Sequence, residues 1–194
     1  MDPKGWFRRR LAIAVLLLLA AACAPGPSVT TPVPTAATPG PSAVLDGSAE
    51  DGTFRVTIHA ERPTYRASEV IGISATLAYI GAAATVDALG SGNGLVGFGL
   101  RQLDGHLRMD PLWEQSCRTY PMKRDAVVAV PFAKSGGFIP TDPDGPFWQA
   151  FFADPVLHLP AGTWQIDAIL DAYLGACGGE HHALTASVTV RVEP

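Results

Sequence analysis

The stretch ALTASVTVRVE, residues 183–193, decides the class of fold. Leu184, Ala186, Val188, Val190 and Val192 alternate with Thr185, Ser187, Thr189 and Arg191. A period of two gives an extended chain one apolar and one polar face, whereas a helix would need apolar residues three and four apart. The Val and Thr content suits a strand as well. The same period runs through FRVTIHAE (residues 54–61), where Phe54, Val56, Ile58 and Ala60 share a face, and through VIGISATLAY (residues 70–79). Residues 94–103, 125–132 and 162–174 are further strand candidates, separated by Gly and Pro. Only PFWQAFFAD, residues 146–154, reads as a helical turn, with Pro146 suited to its first position. Six or seven strands of this kind predict an all-β, antiparallel sandwich of about seven strands over residues 53–194.

Two motifs carry a resemblance. RPTYRASEVIGISATLAYIG, residues 62–81, is similar to the opening of bacterial immunoglobulin-like domains, which have a Tyr-x-x-Gly-Glu turn before a strand; here Ser68 replaces the glycine. LPAGTWQIDAIL, residues 159–170, resembles the Pro-x-Gly-Thr-aromatic corner that opens their penultimate strand. The resemblance implies an immunoglobulin-like β-sandwich and specifies no activity.

Upstream the composition changes. Residues 24–52 are dominated by Pro, Thr, Ala, Ser and Gly and show no apolar period. Such a chain buries too little apolar surface to offset its ordering entropy, which predicts a disordered tether. Extended at about 3.1 Å per residue, it would reach roughly 90 Å.

Before it, Lys4 and Arg8, Arg9 and Arg10 precede an apolar run over residues 11–22. Twelve residues make about 18 Å of helix, short of the roughly 30 Å hydrocarbon core, so the run fits a signal peptide over residues 1–22 better than a permanent span. Its end, Leu19-Ala20-Ala21-Ala22-Cys23, resembles the lipobox of bacterial lipoproteins, although Ala20 stands where a larger aliphatic residue is usual. The resemblance implies that Cys23 is acylated and becomes the N-terminus, palmitate among its chains, holding the protein on the extracytoplasmic face of the cell membrane. The other reading is an ordinary signal peptide that happens to precede a cysteine. Loss of residues 1–22 leaves 10 basic and 17 acidic residues, a formal charge of −7. That balance opposes nucleic acid and anionic headgroups as partners.

With Cys23 assigned to lipid, Cys117 and Cys177 form an even pair in an oxidising compartment, which predicts a disulfide. Two free thiols are the competing reading, as is a metal site formed by Cys177 with Glu180, His181 and His182. Adjacent histidines on a strand point to opposite faces, which disfavours joint coordination, so no metal site is assigned. Asp142 and Asp144 in PTDPDGP have the spacing of a calcium loop but lack its later glutamate, and the composition is that of a turn. GSGNGLVGFG, residues 90–99, reads as a hairpin or as a strand closely approached by another backbone. Asp167 and Asp171, about 13 Å apart along one strand face, are too far apart for a glycosidase pair and read as a solvated edge. Trp113, Phe147, Trp148, Phe151 and Phe152 could line an aromatic platform. No nucleophile elbow, zincin helix or phosphate loop is present, so no catalytic residue and no cofactor is assigned.

The expected function is non-catalytic binding or assembly at the cell envelope, with the lipid anchor in the membrane and an envelope protein or glycan as partner. A proteinase inhibitor, or a thiol- or metal-dependent enzyme using the Cys177–His182 region, is the alternative. Because only the cysteine can carry the thioether lipid, Cys23→Ser is expected to move the protein from the detergent to the aqueous phase on phase partitioning; unchanged partitioning would contradict the anchor.

Overall fold

The computed structural model describes residues 44–194. The expected signal peptide, Cys23 and the tether up to residue 43 lie outside the described residues. In chain order the elements are β1 (Leu45–Glu50), β2 (Phe54–Ala60), β3 (Thr64–Arg66), β4 (Ile73–Tyr79), β5 (Thr85–Gly90), β6 (Val96–Gln102), β7 (Arg108–Met109), β8 (Arg118–Lys123), β9 (Val127–Pro131), α1 (Gly145–Ala153), β10 (Gly162–Leu174) and β11 (Glu180–Glu193). They build two sheets, one in the order β1-β2-β4-β9 and one in the order β3-β11-β10-β5-β8, with β6 on β10 and β7 on β6. All pairings are antiparallel except that of β3 with β11. The fold is an all-β sandwich, with eleven strand segments where about seven were expected.

Alternation set the long strands. Phe54, Val56, Ile58 and Ala60 of β2 face Trp164, Ile166, Ala168 and Leu170 of β10 across the core, and all eight are essentially inaccessible to solvent. Gly162, at φ +149, turns the chain into β10: a Cβ there would come within 2.7 Å of Gln102 and 2.9 Å of Asp104. The Asp104 carboxylate accepts the Thr163 amide at 2.9 and 3.0 Å, and the Trp164 indole donates to the Pro160 carbonyl at 3.0 Å. In the other motif, Tyr65 is buried and its hydroxyl accepts the Arg62 amide at 3.0 Å. Ser68 needs no left-handed backbone, since Asp125 is the sole non-glycine residue with positive φ among the described residues. A serine therefore suffices where glycine was expected.

Helix α1 lies where the aromatic run predicted it. Pro146 sits in its first turn, and Trp148 and Phe151 face the core. Lys134 lies 4.0 Å from the Phe151 ring and donates to the carbonyls of Phe151 and Asp154 at 2.6 and 2.8 Å, closing the helix C-terminus. Burial pushes this amine below the usual lysine range, with the Asp154 charge opposing the shift.

Two readings change. The domain begins before Thr53: Leu45–Glu50, placed in the tether by composition, pairs along all of β2 from Leu45↔Ala60 to Glu50↔Arg55. Its apolar signal is faint because Gly47 and Ala49 are small, and partners hold it: His59 meets Asp46 at 2.7 Å and Arg55 meets Glu50 at 2.6 Å. The glycine-rich stretch makes a tight turn in which Ser91 pairs with Gly94, and Gly90 is closely approached by the Asp171 backbone, but the strands that flank the turn do not pair with each other. Strands β5 and β6 run end to end along one edge of β10, Leu89 opposite Tyr173 and Val96 opposite Leu170. Six residues lie between Leu89 and Val96 but only two between Leu170 and Tyr173, so the excess is extruded as a wide bulge.

The two sides of the sandwich differ. On one, β1 runs so close to β11 that a Cβ added at Gly47 would overlap the Ser187 carbonyl. On the other, the Lys123–Ala126 turn carries the chain from β8 in one sheet to β9 in the other, and the two strands diverge. Gly47→Val should force β1 away from β11 and cost about 1–3 kcal/mol in denaturant unfolding. An unchanged midpoint would show that this side is not closed by backbone contact.

Candidate functional site

The divergence of β8 and β9 leaves an apolar cleft of about 270 Å³ between the sheets. One wall is Leu77 of β4 with Val128 and Val130 of β9; the other is Tyr120 and Met122 of β8, and the floor is Leu95 and Val96. It continues, through Asn93, Val96 and Val130, into a second hollow of about 250 Å³ under Trp113 and Phe98. Val128 pairs with Leu77, whose side chain is in the core, so both face inward; yet Val128 is 46 % exposed. A core-facing valine that is half bare marks a side of the sandwich left uncovered.

Local bonds hold the cleft open. The Tyr120 hydroxyl donates to the Ser91 carbonyl at 2.6 Å, fixing the bulge to β8. Ser91 Oγ donates to the Glu114 carbonyl and Asn93 Nδ2 to the Leu112 carbonyl, each at 3.0 Å, tying the bulge to the chain that precedes β8. At the far end the Asp125 amide donates to the Tyr79 carbonyl at 2.9 Å. Cys117, just before β8, is joined to Cys177 in the β10–β11 turn with Cα atoms 6.2 Å apart, inside the disulfide range. The expected pair is therefore formed, and it fixes the start of β8 to the central hairpin.

The other residues singled out in the sequence fall elsewhere. Cys23 lies outside the described residues. The Cys177 sulfur is engaged by Cys117, and the adjacent histidines diverge. His181 meets Asp171 at 2.8 Å and stacks on Tyr173, with ring centroids 4.6 Å apart. His182 points inward, edge-on to Phe54, with Nδ1 2.7 Å from Asp51 and Nε2 3.5 Å from Glu180. Burial acts to raise the Asp51 pKa, but the Phe54 and Thr53 amides and His182 outweigh it and hold the carboxyl below its ordinary value. The turn reading of PTDPDGP fits the geometry: the Asp142 amide donates to the Ile139 carbonyl, and the Asp144 carboxylate meets His106 at 2.9 Å.

Asp167 is not at a solvated edge. Buried on β10 between β6 and β11, it accepts from Gln165 at 2.8 Å and Ser187 at 2.6 Å. A central strand is flanked on both sides, so even its outward face is covered by neighbouring side chains. The aromatic platform does not form either. Trp148 and Phe151 are buried, while Phe147 and Phe152 pack on them and Trp113 covers Gly97.

Asn93, Tyr120 and Val128 were not singled out from the sequence. The signal for β9 lies in Val127-Val128, where two neighbouring valines break the alternation and place apolar groups on both faces. The chain matches no protein family, no curated protein and no solved structure.

Reduction of Cys117–Cys177 reopens a 60-residue separation. By the chain-entropy relation it should lower stability by about 4 kcal/mol, read as a fall in the thermal midpoint of several degrees or more. Coincident melts with and without reductant would show that the bond contributes nothing to β8.

Proposed function

We propose that this is an envelope lipoprotein, held by acylated Cys23 on the extracytoplasmic face of the membrane, whose immunoglobulin-like sandwich binds a partner protein without catalysis. The lipobox resemblance supports the anchor, and the Tyr65 turn and Gly162 corner support the kinship of the sandwich. One observation carries the binding reading: the inward face of β9 is left uncovered beside an apolar cleft, with Val128 46 % exposed. Covering it removes apolar surface from water, which favours an occupant.

Charge at the ends of the cleft supports a polypeptide partner. Arg118 stands at the start of β8, and Lys123 and Arg124 stand at its end, in a chain that is acidic overall. Arg118 and Lys123 make no ion pair among the described residues. An apolar side chain flanked by carboxylates matches this arrangement, and opposite charges also steer encounter.

The test is site-specific photo-crosslinking in cells that make the protein. A photoreactive residue at position 128 is expected to give a discrete adduct with a second envelope protein, whereas one at Val156, an exposed valine outside the cleft, should not. Identical crosslinking at both positions, or none at 128, would overturn the cleft as the binding site.

A further inference from the structure

The edges of the two sheets are not equally protected. A free strand edge presents unpaired amides and carbonyls, and proteins blunt such edges with charge, proline or brevity. Strand β1 carries Asp46 and Glu50, β8 carries Pro121 and Lys123, β3 has three residues and β7 two. Strand β9, Val-Val-Ala-Val-Pro, has no charge along its length and one proline, at its last position. Val127 is 67 % exposed on it. Among the described edges, it alone is both uncharged and longer than three residues.

The place beside β9 is also the mouth of the cleft. A strand added there would lie about 4.8 Å away and send every second side chain to the interior side of the sheet. That is the side on which Val128 and Val130 form the cleft wall. The free edge supplies main-chain partners, and the hollow beneath accepts apolar side chains with a period of two. At the β8–β9 turn the chain presents Lys123 and Arg124, and Arg118 lies on the same face of β8 as Tyr120 and Met122.

We infer that β9 is the acceptor edge for an extended segment of the partner, which adds to the sheet as a fifth strand, places alternating apolar side chains in the cleft and sets acidic residues at its two ends, one toward Arg118 and one toward Lys123 and Arg124. This rests on the cleft being the binding site and specifies how that site is used. Main-chain pairing supplies the attachment and the hollow supplies the choice of side chain.

The test uses a random heptapeptide library displayed on phage, panned against the full chain carrying Cys23→Ser so that no detergent competes for the cleft. Enriched peptides are expected to alternate apolar residues and to carry Asp or Glu at their ends. A synthetic copy should slow amide exchange along β9 and bind Val128→Asp about tenfold more weakly, a change of roughly 1.4 kcal/mol. Combined Arg118→Glu and Lys123→Glu should turn the preferred residues at the two ends from acidic to basic. Unchanged disulfide formation and far-ultraviolet dichroism in the variants would show that they fold.

Peptides enriched without alternation, or bound without slowing exchange in β9, would overturn strand addition. So would a library that yields no binder although crosslinking at position 128 in cells persists. In either case crosslinking at 128 in cells would still stand, so failure of this inference is separable from failure of the cleft as a binding site.

Discussion

The antiparallel pairing of β10 with β11, continuous from Gly162↔Val192 to Leu174↔Glu180, is the constraint on which the other elements depend. Its inner face supplies Trp164, Ile166, Leu170, Val188 and Val190 to the core. Its flanks receive β3 on one side and the β5–β6 line on the other, and its turn carries Cys177. A central hairpin this long buries a continuous apolar stripe, and each neighbour is placed by the part of that stripe it covers. Gly175 and Gly178, at φ +80 and +82, let the turn reverse tightly enough to keep the register.

The open side follows from that spine in two steps. Strand β10 is longer than either β5 or β6, so its edge is shared between them, and the surplus residues where they meet form the bulge of Asn93 and Leu95. The disulfide then holds β8 to the end of the hairpin, while the turn at Asp125, whose φ is +62, delivers β9 to the opposite sheet. Strands β8 and β9 share this turn but belong to different sheets, and nothing among the described residues fills the space between them. The cleft is thus a consequence of connectivity, lined by residues that would otherwise be ordinary core.

The closed side shows the opposite use of small residues. Gly47 lets β1 approach β11 to backbone contact, and Ser187, opposite Asp167, donates a hydrogen bond to that buried carboxylate. Asp51, in the turn after β1, reaches His182 on β11 and links the sheets a second time. One lateral opening is thus sealed by backbone contact and an ion pair, and the other is left apolar.

Alternation along the chain was sufficient to locate β2, β4, β10 and β11, because each turns one face to the core and the period of two is written into its residues, whereas β6 and β9 were located as short apolar runs between Gly and Pro. Pro146 and the aromatics after it located α1 for an equally local reason, and the count of cysteines pointed to the pair that the structure joins. Strands β1, β5 and β8 were not legible: Gly47 and Ala49 give β1 little apolar signal, and β8 contains Pro121. They are strands because neighbours distant in sequence offer them hydrogen-bonding edges. The cleft was illegible for the same reason, since Leu77, Leu95, Met122 and Val128 read as core in any sequence. Which of them lies at an open side depends on the order of strands in two sheets, and that order is decided by contacts between segments far apart in the chain rather than by the residues of any one segment.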